Sequence, residues 1–211
     1  MGKSEETDRK ESVSSISPPE TTTRSCKVSL NIPIPRAPYL ERKIRDVPQL
    51  KEIWDYINPQ MLYSKHLGFK GNFEAKLAER DPKALALNEI VESVRSEAVT
   101  FMKVKAVWQF FEAEAEGNSI HLFEPGGRSP LHTFHFPRQR KEDGLCLSDY
   151  LLPPRDHIAL FVIGAGAGIR ERSESLKEKG EYLKSHAIQS LAIETAEGSA
   201  EWLHRRIRED W

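Results

Sequence analysis

Apolar residues recur at helical spacing in three stretches of the chain. Leu50, Ile53, Trp54 and Ile57 follow Asp46-Val47-Pro48, where Asp46 suits an N-cap and Pro48 a first turn. Leu85, Leu87, Ile90, Val91 and Val94 follow Asp81-Pro82, a clearer start of the same kind. From Gly168 to the C-terminus the pattern predicts helix, broken or bent near Gly180, with Ile188, Leu191, Thr195, Trp202, Leu203 and Ile207 on one face. Between these stretches the period changes. Val104 to Ala115 is rich in Val, Trp and Phe and predicts a strand. The turn Glu116-Gly117-Asn118-Ser119 leads to a returning strand, Ile120 to Phe123. Pro125-Gly126-Gly127 turns the chain again into a third strand, Leu131 to Phe136. After a charged loop, Leu147 to Leu152 predicts a short helical turn ended by Pro153-Pro154. Ile158 to Ile163 predicts a fourth, more deeply buried strand. A meander of strands followed by long helices, without βαβ alternation, predicts an α+β fold.

The start of the chain lacks such a pattern. Residues 1–30 are rich in Ser, Thr, Glu and Lys, a composition that buries too little apolar surface to offset the entropy of ordering. Asn31 to Pro38 alternates prolines with small or apolar residues and is expected to run extended across the domain surface. The expected division is therefore a disordered or linker-like segment, 1–40, and one domain, 41–211.

Composition narrows the function classes. Apolar residues at 38% and charged residues at 30% fit a soluble domain with a real core. The 31 basic and 32 acidic residues nearly cancel, so no basic patch argues for nucleic acid. No apolar run is long enough to span a bilayer and no secretory h-region follows Met1, which leads us to expect a cytoplasmic protein with no membrane partner. Cys26 and Cys146 are too few for a disulfide framework or a four-thiolate zinc site.

Candidate chemistry is sparse. The run Gly164-Ala165-Gly166-Ala167-Gly168 places its third glycine one residue too early for a dinucleotide fingerprint and is read as a tight strand-to-helix turn. His132 and His135 lie three apart on a strand, on opposite faces, and cannot share an ion. Glu201 and His204 have the Glu-x-x-His spacing of di-iron bundles but lack a second copy. No catalytic residue and no metal ligand is assigned.

Ordered sequence blocks add what the chemistry does not. Val47-Pro48-Gln49-Leu50, Tyr56-Ile57-Asn58 and Leu62-Tyr63-Ser64-Lys65-His66-Leu67-Gly68 resemble the opening helix of the activation domain of cobalamin-dependent methionine synthase. Val107-Trp108-Gln109-Phe110-Phe111-Glu112-Ala113 resembles its aromatic strand. The blocks Leu131 to Arg140 and Leu147-Ser148-Asp149-Tyr150 resemble its next block. His186-Ala187, Ala196-Glu197 and Glu201 to Arg208 resemble its long helix. The resemblance runs in order from about residue 45 to the last residue.

It implies a bent antiparallel sheet flanked by helices, with a long C-terminal helix. It also implies a methyltransferase parent that moves a methyl group from methyltetrahydrofolate to homocysteine through cobalamin. The domain would present S-adenosylmethionine for reductive methylation of cob(II)alamin, with flavodoxin or an equivalent reductase as electron donor. Cobalamin would be held by a cobalamin-binding module, and zinc only in a homocysteine domain of the parent. The resemblance assigns Glu197 to a ligand position and places Asn58 where some members carry an aspartate. A carboxylate and an amide suit a ligand bearing a sulfonium and an ammonium group. The family's Arg-x-x-x-Gly-Tyr-Pro-Ala-Cys segment is not found, so the domain is expected to be incomplete at its C-terminus, not catalytic alone and weak in ligand binding. The alternative is a non-catalytic docking module for a cobalamin subunit or flavodoxin.

Overall fold

The computed structural model describes residues 22–211. Its frame is one long strand. β2 (Val104–Glu116) pairs on one edge with β1 (Lys43–Val47) and, further along, with β3 (Ser119–Phe123); its other edge pairs with β5 (Asp156–Gly164). β4 (Pro130–His135) completes the sheet beside β3, and every pairing is antiparallel. The β2–β3 hairpin turns at Gly117, whose φ of +57° favours glycine.

Strand alternation divides the core. Val104, Ala106 and Phe110 of β2 point into the larger cluster, together with Ala159 and Ile163 of β5. Ala113 and Phe111 point to the other face, where Ile120, Leu122 and Leu151 form a smaller cluster. The larger cluster is closed by helices α1 (Leu50–Trp54), α2 (Phe73–Ala78), α3 (Pro82–Phe101), α4 (Ile169–Glu178) and α5 (Tyr182–Asp210). The expected α+β architecture, with an antiparallel sheet, flanking helices and a long C-terminal helix, is what forms.

Local readings hold in some places and fail in others. Asp81 caps α3, its carboxylate accepting from the N–H groups of Lys83 and Ala84 at 2.9 and 3.0 Å. Gly180, at φ +77°, separates α4 from α5. Asp46 does not cap a helix. It lies in β1 opposite Lys105, and α1 starts only at Leu50, because β2 offers the preceding residues a complete ladder of backbone partners. Leu85 is exposed, whereas Leu87, Val91 and Val94 are buried. β5 is half-buried rather than deep: among the described residues its outer edge has no partner strand, and Val162 is 73% exposed. In the segment expected to be linker-like, residues 1–21 lie outside the described residues. Further on, Ser25 is buried, and Arg24 donates to the carbonyls of Leu151 (2.8 Å) and Asp149. Ala37 and Tyr39 pack against the larger cluster.

Candidate functional site

α5 is 29 residues long, about 43 Å at the α-helical rise. Its buried face carries hydroxyls among the apolar residues, and three of these return their protons to the helix itself. Ser190, Thr195 and Ser199 donate to the carbonyls of His186, Leu191 and Thr195 at 3.0, 2.6 and 2.6 Å. One position on this face has no room for a side chain. A Cβ on Gly198 would stand 2.9 Å from the carbonyl oxygen of Ile53 and 3.6 Å from the Cβ of Tyr56. Glycine therefore lets the end of α1 sit directly on α5, where the Trp54 indole N–H donates to Thr195 at 3.0 Å.

That contact lies next to Glu197 on α5 and two residues before Asn58 on the facing segment. Glu197 is the neighbour of Gly198 and is exposed. Asn58 follows Tyr56 by two residues and is exposed as well. It opens the next segment: its side-chain oxygen accepts from Gln60 N–H at 2.9 Å, and its carbonyl from the N–H groups of Met61 and Leu62. Pro59 follows, and Gln60–His66 forms a π-helical turn in which Leu67 N–H reaches back five residues to the Leu62 carbonyl at 3.1 Å. Such wide turns are uncommon and recur at functional sites. The Glu197 face continues one turn along α5 into an open groove of about 480 Å³ lined by Tyr56, Glu201, His204, Arg205, Arg208 and Glu209.

The far end of the π-helical turn is held by two further contacts. His66 Nε2 lies 2.9 Å from a carboxylate oxygen of Glu194, and His186 Nε2 donates to the His66 carbonyl at 2.7 Å. Glu194 is only 2% exposed. Burial, followed by repulsion from Glu197, pushes its carboxyl above the ordinary glutamate value, against the opposing pull of His66. Glu194 is not singled out in the sequence. Its spacing of three from Leu191 and four from Gly198 is the available signal that it turns inward.

The other candidates do not assemble a site. His135 bonds Ser119 at 2.8 Å and His132 packs edge-on to Phe134, so the two histidines stay apart. Glu201 and His204 are both exposed, and no group of three metal-ligating side chains occurs among the described residues. The glycine run is the expected strand-to-helix turn, with Gly168 at φ +73° just before α4. No described helix is long and apolar enough to cross a membrane.

Residues 49–211 match the family described as the activation domain of vitamin B12-dependent methionine synthase. Among curated proteins, a methionine synthase of Mycobacterium tuberculosis (strain ATCC 25618 / H37Rv) is 30% identical over 114 residues, which cover 49% of this chain and 10% of that protein. Among solved structures, the crystal structure of the MetH reactivation domain bound to AdoHcy superposes with a TM-score of 0.71 at 19% identity. It covers 80% of this chain and 55% of that one, and establishes the likeness of fold. The chain thus spans about a tenth of the methionine synthase and about half of the solved domain that it matches. With the family match extending over most of its length, this chain belongs to the activation domains of vitamin B12-dependent methionine synthases.

Proposed function

We propose that this chain serves a cobalamin-dependent methionine synthase by presenting S-adenosylmethionine for reductive methylation of the cofactor. The supporting observation is the Gly198 contact, which packs the segment leading to Asn58 against α5 next to Glu197. Family membership and the AdoHcy bound by the structural neighbour point the same way. A carboxylate beside an amide suits a ligand that carries a sulfonium and an ammonium group. The adjoining groove, with Glu201, Arg205, Arg208 and Glu209, offers both signs of charge to a zwitterionic amino-acid moiety.

In this reading Glu197 supplies the charge and Asn58 orients the ligand through amide hydrogen bonds. A cobalamin held by a separate cobalamin-binding module would be the methyl acceptor, with flavodoxin or an equivalent reductase as electron source. The residues of this chain bind and aim; they transfer no group themselves. The setting is the cytoplasm. Amide NMR titration with S-adenosylmethionine tests the reading. We expect weak binding, with shifts confined to residues 56–68 and 194–205, and roughly tenfold loss in Glu197→Gln, since charge-assisted hydrogen bonds are about twice as strong as neutral ones. Shifts scattered elsewhere, or none at millimolar ligand, would sink it.

A second reading, a non-catalytic docking module, is favoured by the exposed apolar edge of β5, where Val162 faces solvent and Phe161 shares a pocket with Leu147 and Tyr150. It commits to the cobalamin-binding module as partner. Pull-down with that module should be lost in Val162→Lys, and retention by the variant would count against it.

A further inference from the structure

Three residues on α5, His186, Glu194 and Gly198, grip one short segment, and none of them is itself a proposed ligand residue. At its start, Ile53 and Tyr56 rest against Gly198. At its end, His66 is bonded through its ring to Glu194 and through its carbonyl to His186. The segment between carries Asn58 and the π-helical turn. Glu194 and Glu197 are three positions apart on the same helix, close enough for their charges to interact.

We propose that the His66–Glu194 pair is a positioning device for the ligand site: it locks the Asn58 turn onto α5 and sets a second negative charge behind Glu197, so that the junction selects a cation. This rests on the ligand reading of Glu197 given above. The pair itself is geometric, a buried carboxylate with one histidine partner at 2.9 Å. Glu194 and His66 act here as positioning residues and touch no ligand.

Charge linkage gives the device a readout that a purely structural bond lacks. The charged groups acting on Glu194 are His66 from the π-helical turn and Glu197 from its own helix. Several charged groups on the other elements packed against α5 have partners of their own. Glu52 of α1 accepts from Trp202 and Arg206, Arg95 of α3 pairs with Glu92 and lies over the Trp54 ring, and Arg172 of α4 pairs with Glu97. A cation bound at Glu197 neutralises the repulsion that disfavours ionised Glu194. Binding therefore releases a proton from Glu194, and by reciprocity affinity rises as pH increases through the titration of that carboxyl.

The experiment uses the full chain, with S-adenosylmethionine as probe and Glu194→Gln and Glu194→Leu as variants. Glutamine keeps an acceptor for His66 and removes the charge. Leucine removes both while nearly conserving volume, so it should fold. In wild type we expect affinity to rise with pH, with proton release on binding. In Glu194→Gln we expect about threefold weaker, pH-independent binding, and in Glu194→Leu about tenfold weaker binding. Without any ligand, Glu194→Leu should speed amide exchange of residues 62–69 by roughly tenfold, and Glu194→Gln should leave it near wild type. An unchanged pH profile in Glu194→Gln, or unaltered exchange and affinity in Glu194→Leu, overturns the proposal. Absence of localised binding in wild type would instead remove the ligand reading, and the exchange arm would still decide whether the pair locks the turn.

Discussion

Among the described residues, Asp149 and Glu194 are buried carboxylates each within reach of a basic side chain, and their surroundings are built differently. Arg138 and Asp149, each 1% exposed, join the charged loop after β4 to the 3-10 turn Leu147–Tyr150 by two hydrogen bonds at 2.6 and 2.8 Å. Burial alone would push Asp149 up. The Arg138 hydrogen bonds, the Cys146 N–H, the Arg138 charge and the Ser25 N–H together hold it below the ordinary aspartate value. Arg138 also reaches Asn118 and the Gly144 carbonyl. Glu194 has a single histidine partner and a second acid three residues away, and its carboxyl is raised. A buried acid surrounded by donors fastens structure. One that lacks donors remains responsive to whatever charge arrives next to it.

The sharpest test of this contrast is to break each pair. Arg138→Ala leaves Asp149 buried with its strongest partner gone and should cost about 3–5 kcal/mol in denaturant unfolding, the range for halving a buried ion pair. Binding at the α5 junction, on a different element, should persist in whatever fraction stays folded. Gly198→Ala comes next. Its Cβ would press on the Ile53 carbonyl at 2.9 Å, which is backbone and cannot step aside cheaply, so we expect a loss of about 1–3 kcal/mol. Because the same strain displaces the segment carrying Tyr56 and Asn58 from α5, ligand-induced shifts at residues 56–68 should fade too.

Acid and base separate the pairs by sign. Asp149 is held down, so its contribution to stability is present above the ordinary aspartate value and is lost as pH falls below it. Glu194 is raised, so the native state binds its proton more tightly than the unfolded chain does. That contribution is present at low pH and is lost as pH rises from the ordinary glutamate value through the folded one. Melting followed from pH 3 to 8 should show both limbs, with Glu194→Gln flattening the upper one alone. An upper limb that survives the substitution would mean that another group carries it. The smallest effect belongs to Glu197→Gln, an exposed change expected to alter stability by less than about 0.5 kcal/mol while weakening S-adenosylmethionine.

Much of the fold is legible in the residues themselves. Turn chemistry at Gly117 and Gly180, the Asp81 cap and the switch from period two to period 3.6 are local properties, and local preference agrees with the global answer there. β1 is not legible in this way, because Asp46-Val47-Pro48 has helix-start chemistry, yet Asp46 and Val47 join a strand once β2 lies alongside. The depth of β5 escapes the sequence for a related reason: an apolar run does not say how many neighbours a strand has.

The site divides in the same way. The ordered blocks from Val47 to Arg208 are sufficient to identify the activation-domain family, and sequence resemblance alone singles out Glu197 and Asn58. The Gly198 contact, which sets the segment before Asn58 against α5, depends on an approach between residues far apart in the chain. The charge character of Glu194 is likewise settled only by packing. A carboxyl titrates according to the solvent it loses and the partners it gains, and neither is encoded at its own position.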